Sequence, residues 1–174
     1  MTPAVDSPTL PAVVVALLAA WDARDVEAFG ALLADDVEWY DPAMPAPPSR
    51  GRAQVVSFAA SVLRAFPDFR YEIQPPACIS LDGSRCALVW RISATHLEPL
   101  DPPGFAPTGR RAVIEGVDVL DIRDGRISRI LTAFDAIPAA EQLLGLRLRP
   151  SPNSWREWLI VRLQRILARA RRLH

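Results

Sequence analysis

Lysine is absent: all twenty basic side chains are arginine, set against twenty Asp and Glu, so the formal net charge is zero. That absence excludes chemistry routed through a lysine Schiff base. Histidine is nearly absent, with only His96 and His174, and one imidazole in the body of the chain makes no metal centre without partners. Neither a metal nor an organic cofactor is expected. Cysteine stops at Cys78 and Cys86, which lack the C-x-x-C spacing of a redox or zinc site. No apolar run reaches the roughly 18–20 residues of a membrane span, and Met1 to Leu18 lacks the basic start of a secretory signal. The expected location is the cytoplasm, where two reduced thiols are favoured over a disulfide. No GxSxG, P-loop or GxGxxG string occurs, so serine hydrolase, NTPase and dinucleotide readings have no support.

What is present is 174 residues, half of them apolar and 23% charged. That fits one globular domain able to bury a core and a cavity. The zero net charge hides an asymmetry. Residues 1–146 hold 12 Arg against 19 acids, a net −7, whereas residues 147–174 hold eight Arg and only Glu157, a net +7. Arginine in place of lysine, with many Ala and Pro, suggests a GC-rich, bacterial coding sequence.

Residues 1–8, with Pro3, Ser7 and Pro8, read as a loose lead-in. Thr9 is placed to cap a helix over about 10–22, whose Leu10, Val13, Val14, Leu17, Leu18 and Trp21 make an i, i+3, i+4 stripe. A second helix fits 26–33, with Asp25 as its cap. The period then drops to two, so Val37, Trp39 and Asp41 share one strand face that Pro42 ends. Pro42, Pro45, Pro47 and Pro48 make a rigid loop around Met44, and 51–66 is helical. Strands follow at about 69–80, 85–97, 110–122 and 126–135, paired antiparallel through the turns Asp82-Gly83 and Asp124-Gly125. Pro138 starts a short helix ending near Gly145. Residues 147–154 form a linker, and Ser154 caps a tail helix from Trp155. The fold class is α+β, a curved antiparallel sheet wrapped on helices.

The strings Ala34-Asp35-Asp36-Val37, Tyr40-Asp41-Pro42, Ala65-Phe66-Pro67-Asp68-Phe69, Thr95-His96, Pro107-Thr108-Gly109-Arg110, Gly116-Val117-Asp118 and Asp124-Gly125-Arg126-Ile127, in this order, resemble the NTF2-like (nuclear-transport-factor-2-like) superfamily over residues 9–146. The SnoaL-like polyketide cyclase branch is the nearest in pattern. The resemblance implies a cone enclosing a deep apolar pocket, often in a homodimer, and a hydrophobic small molecule as partner.

Several residues are candidates for chemistry in that pocket. Asp41 follows two apolar neighbours on its strand face, so its carboxylate is expected to be partly desolvated, with a raised pKa suited to a base. The alternative is a side-chain cap on the turn before Pro42. Asp118 alternates with Ile114, Gly116 and Leu120, beside a glycine expected to leave room for a ligand. It is read either as a neutral carboxyl that donates to an enolate oxygen or as an acceptor for a nearby polar group. Both positions are similar to the acids of ketosteroid isomerases, base and oxyanion hole respectively. The tyrosine of that family falls near Leu17, where this chain has none. The arginine of limonene-type epoxide hydrolases falls on Gly116. The late-strand acid of the cyclases matches Asp135, whose other reading is a helix cap. His96 is read as polarising a carbonyl or relaying a proton. Leu17, Trp39, Met44, Phe58, Trp90, Ile114, Gly116 and Leu120 are read as substrate-contacting lining.

These residues imply proton abstraction beside a carbonyl, then cyclisation or isomerisation of a polyketide- or steroid-like substrate. The alternative is a non-catalytic ligand-binding or dimerisation module. In the tail, Trp155, Leu159, Leu163, Ile166, Ala170 and Leu173 share a face beside a stripe of Arg162, Arg165, Arg169 and Arg172. That helix is expected to dock on its own or a partner chain or on an anionic membrane. Nucleic acid is not expected, because the acidic body repels it.

Overall fold

The computed structural model describes residues 10–44, 48–101, 103–145 and 147–170. Its elements run α1 (Ala12–Ala23), α2 (Val26–Ala31), β1 (Leu33–Tyr40), β2 (Ser49–Arg50), α3 (Arg52–Ala65), β3 (Arg70–Ile79), β4 (Arg85–Thr95), β5 (Arg111–Arg123), β6 (Arg126–Phe134), α4 (Ala136–Leu144) and α5 (Trp155–Ala170). The six strands form one curved, unclosed sheet in the order β2-β1-β6-β5-β4-β3. The α+β architecture is the one the periodicity predicts.

The helices form where apolar side chains recur at helical spacing. α1 buries Val14, Leu17 and Ala20, and α3 buries Val55, Phe58 and Ala59 among others. Asp25 caps α2 by accepting from the Ala28 N–H at 2.9 Å. The N-cap of α1 is Pro11, not Thr9, which lies outside the described residues, as do the lead-in 1–8 and the loop residues Pro45 and Pro47. α4 begins at Ala136, two residues before the predicted start, so Pro138 occupies the first turn, where its missing N–H costs nothing.

β3 to β6 pair antiparallel as expected. At the β5–β6 turn both Asp124 and Gly125 have positive φ, 53° and 71°, the conformation that an Asp-Gly hairpin requires. β1 lies parallel to β6, with Trp39 opposite Ile130. Periodicity identifies β1 as a strand but carries no information about this partner, which is about ninety residues away. Cys86 is buried opposite Ile79, whereas Cys78 is exposed, and both are free thiols.

Beyond α4 the chain is tied back. The Glu141 carboxylate accepts from the Leu148 and Arg149 N–H groups at 2.6 and 2.8 Å, and Arg149 pairs with Asp135. Ser154 then caps α5 by accepting from the Glu157 N–H at 3.2 Å. No helix among the described residues is long and apolar enough to cross a membrane.

Candidate functional site

The concave side of the sheet and α1, α3 and α4 enclose a cavity of about 350 Å³, at the small end of the range of ligand sites. Strand alternation makes its wall: Ile114, Asp118 and Leu120 of β5, Trp90, Ile92 and Ala94 of β4, and Ile130, Thr132 and Phe134 of β6 all face inward. α4 closes one side with Ala136, Ala139, Ala140, Leu143 and Leu144, residues that the sequence reading did not assign to the site.

In this apolar wall the polar groups are few. Asp118 stands opposite Thr132 in the β5–β6 register. Its carboxyl accepts from the Tyr71 hydroxyl at 2.6 Å and the Thr132 hydroxyl at 2.7 Å. Thr132 in turn accepts from the Trp39 indole N–H at 3.0 Å. Asp41, just past β1, lines the same cavity and also takes the turn role, its Oδ1 accepting from the Ala43 N–H at 2.7 Å. The two readings of Asp41 are therefore compatible. Its Oδ2 has no protein hydrogen bond among the described residues.

Burial dominates the electrostatics. It pushes the Asp41 carboxyl up to about 6, against the pull of the Ala43 N–H, and the neighbouring Asp118 adds to the rise. Asp118 is also raised by burial, opposed by its Tyr71 and Thr132 hydrogen bonds and by the nearby Trp90 N–H. Two carboxyls in one apolar cavity resist ionising together. Burial, then the charge of Asp118, holds Tyr71 above its ordinary value, so it remains a phenol able to donate.

Two further groups are left wanting. The Trp90 indole nitrogen, beside Asp118, and His96 Nε2 are both buried without a hydrogen-bond partner among the described residues. Buried polar atoms normally find partners, and both residues line the cavity, where a ligand would supply them. Burial lowers the His96 pKa, so the imidazole is neutral near pH 7. Its ring stacks on Phe66, with centroids 5.3 Å apart.

Asp41, Asp118 and His96 thus share one cavity with Leu17, Trp39, Phe58, Trp90, Ile114 and Leu120. Asp135 does not. Phe134 and Ala136 on either side of it point inward, which turns Asp135 outward, where it accepts from the Ile137 N–H at 3.2 Å as the cap of α4. The pairing with Arg149, and to a smaller extent that bond, hold its carboxyl below the usual range. Met44 is not in the lining either. Its N–H bonds back to Asp41 at 3.0 Å and its side chain is buried in the core. Gly116 leaves no room for a ligand, because the Trp90 indole lies over it: a Cβ there would meet Trp90 Cζ2 at 2.4 Å.

Tyr71 and Thr132 were missed. The antiparallel register would have found Thr132, since the Asp124-Gly125 turn brings position 132 opposite 118. Tyr71 carried a weaker signal, a phenol alternating with Ile73 on the next-but-one strand. Leu17 lines the cavity, and the phenol there is Tyr71 of β3. Among the described residues no three His, Cys, Asp or Glu gather as metal ligands.

The sequence profile of a SnoaL-like domain matches residues 14–130. No curated protein matches the chain. Among solved structures, a candidate polyketide cyclase from Pseudomonas putida is 25% identical with a TM-score of 0.66, over 78% of this chain and 98% of that one. AclR, a candidate hydroxylase from Streptomyces galilaeus, is 23% identical with a TM-score of 0.63, over 94% of both chains. TerC, co-crystallised with polyporic acid, is 21% identical with a TM-score of 0.58, over 75% of this chain and 94% of that one.

Proposed function

The chain belongs to the SnoaL-like domain family of the NTF2-like fold, and from that premise we propose that it is a small-molecule enzyme. In this reading it removes a proton beside a carbonyl in a hydrophobic, polyketide-like substrate and then closes a ring or returns the proton. The observation that carries the proposal is the pair of raised carboxyls, Asp41 and Asp118, in one apolar cavity beside an unpartnered Trp90 N–H.

Asp41 is the base. With a pKa of about 6 it is mostly ionised at pH 7, yet stronger than an exposed carboxylate, the compromise that general-base catalysis favours. The C–H proton goes to its Oδ2, the C–H electron pair becomes the C=C bond of the enolate, and the carbonyl π pair moves onto the oxygen. That oxygen would take the Trp90 N–H and a proton-bearing group of the Asp118–Tyr71 pair as donors, which act strongly because little water is present. The enolate carbon then attacks a second carbonyl, with Asp41 returning the proton to the new alkoxide, or, where the enolate is conjugated with a C=C bond, Asp41 returns the proton to the far carbon of that system. His96, neutral at the far end of β4, would hold a second polar group of the ligand.

The test is solvent exchange. Aromatic esters bearing β-keto side chains, incubated with the protein in D₂O, should gain deuterium at the activated carbon faster than in buffer. Saturable binding of the same compounds with no catalysed exchange would overturn the enzymatic reading.

A further inference from the structure

The tail helix α5 carries a second, independent signal. Most of its apolar side chains are in solvent: Trp155, Trp158, Leu159, Leu163 and Ile166 are 74, 58, 40, 51 and 54% exposed, and Ile160 and Val161 on its other side are 53 and 41% exposed. At about 100° per residue Trp155, Ile166, Leu159 and Leu163 fall within about 80° of arc. Arg162 and Arg165 lie beside that sector with Trp158 between them, and the Arg162 guanidinium sits 4.9 Å from the centre of the Trp158 ring. In its described part the tail has one acid, Glu157, which the N-terminal turn uses to hold the Asn153 N–H at 2.6 Å.

We propose that α5 binds the surface of an anionic lipid bilayer, lying in the interface with the Leu159–Leu163–Ile166 sector among the acyl chains and its arginines among the headgroups. Apolar burial and attraction to negative headgroups add in that geometry, and an arginine-clamped Trp is suited to the headgroup level. A second copy of this chain could meet the tail arginines only through those carboxylates of its body that are not already paired. Six of the nineteen acids of the body, Asp35, Asp36, Glu38, Glu115, Asp121 and Asp135, already pair with an arginine of their own chain.

The attachment suggests what docking achieves. Glu141 of α4 fixes the root of the tail, and α4 lines the cavity. The six residue steps from Arg149 to Trp155 span at most about 22 Å, so a docked α5 holds the cavity-lining helix close to the bilayer, where apolar ligands dissolve.

Co-sedimentation of the full chain with phosphatidylcholine vesicles containing phosphatidylglycerol, against phosphatidylcholine alone, reads this directly. Binding is expected to the anionic vesicles only. Arg162→Gln with Arg165→Gln should weaken it on the order of 30-fold, from about a fivefold loss per charge. Leu159→Gln with Leu163→Gln should weaken it by on the order of 100-fold. These side chains are exposed, so melting of the body should not change. Absence of binding to anionic vesicles would overturn the proposal. So would sedimentation velocity showing that the leucine pair dissolves a dimer of the wild-type chain while vesicle binding is untouched.

Discussion

Asp41→Asn is expected to slow exchange or turnover by about two to four orders of magnitude and, at neutral pH, to make the protein harder to unfold. The loss is the usual contribution of a positioned general base. The gain follows from linkage. The folded pKa of about 6 lies above the reference value of 3.8, so between those two pH values the folded state binds more protons than the unfolded one. Stability therefore falls as pH rises through that window, by about 2–3 kcal/mol in all. Asparagine has no proton to lose and can still accept from the Ala43 N–H, so the variant should lack this fall and unfold later at pH 7. In the wild type, kcat/KM should climb with pH and level off above about 6. Chemical denaturation at pH 4 and pH 7, alongside the exchange rate, checks both halves. Equal stability curves with equal rates would remove Asp41 from the account.

Gly116→Ala should cost about 2–3 kcal/mol, the typical penalty for overpacking a filled site. A Cβ at 116 would lie 2.4 Å from Trp90 Cζ2 and 2.7 Å from the Ala133 carbonyl oxygen. The second contact is with the β6 backbone opposite, which has little freedom to retreat. For a chain of this size the fall in melting temperature should be about 5–10 °C. Because Trp90 must turn away from Asp118, ligand binding should weaken as well. In a Trp90→Phe background the same alanine should cost less, a coupling that thermal unfolding of the double-mutant cycle measures. Full additivity would mean that the indole is not what occupies the space over Gly116.

Local patterns made much of this molecule legible beforehand. The stripes of α1 and α3, the strand alternation, the two Asp-Gly turns and the caps at Asp25 and Ser154 all depend on neighbours within a few residues. What escaped was decided between distant segments. Nothing local in β1 names β6 as a parallel neighbour. Gly116 reads as open space until the β4–β5 register sets Trp90 opposite it. Asp135 is a candidate only through its likeness to the late-strand acid of the cyclases, and the alternation that points Phe134 inward turns it out of the cavity. The position of Asp41 in the cavity wall follows from its neighbours, because its face is set by Val37 and Trp39 four and two residues before it. Tyr71 and Thr132 touch Asp118 only through strand pairing and the curvature of the sheet, so neither is an evident site residue in the linear chain.

Titrating the protein with its aspartate carboxyl carbons labelled with ¹³C, and following each resonance by NMR, tests the paired-carboxyl site most directly. Asp41 should titrate near pH 6, with Asp118 also above the ordinary carboxylate range and Asp135 below it. In Asp118→Asn the Asp41 midpoint should move down, because a neighbouring like charge is gone. Asp41 and Asp118 both titrating independently near pH 4 would contradict the account, since two such carboxyls would be solvated and chemically ordinary.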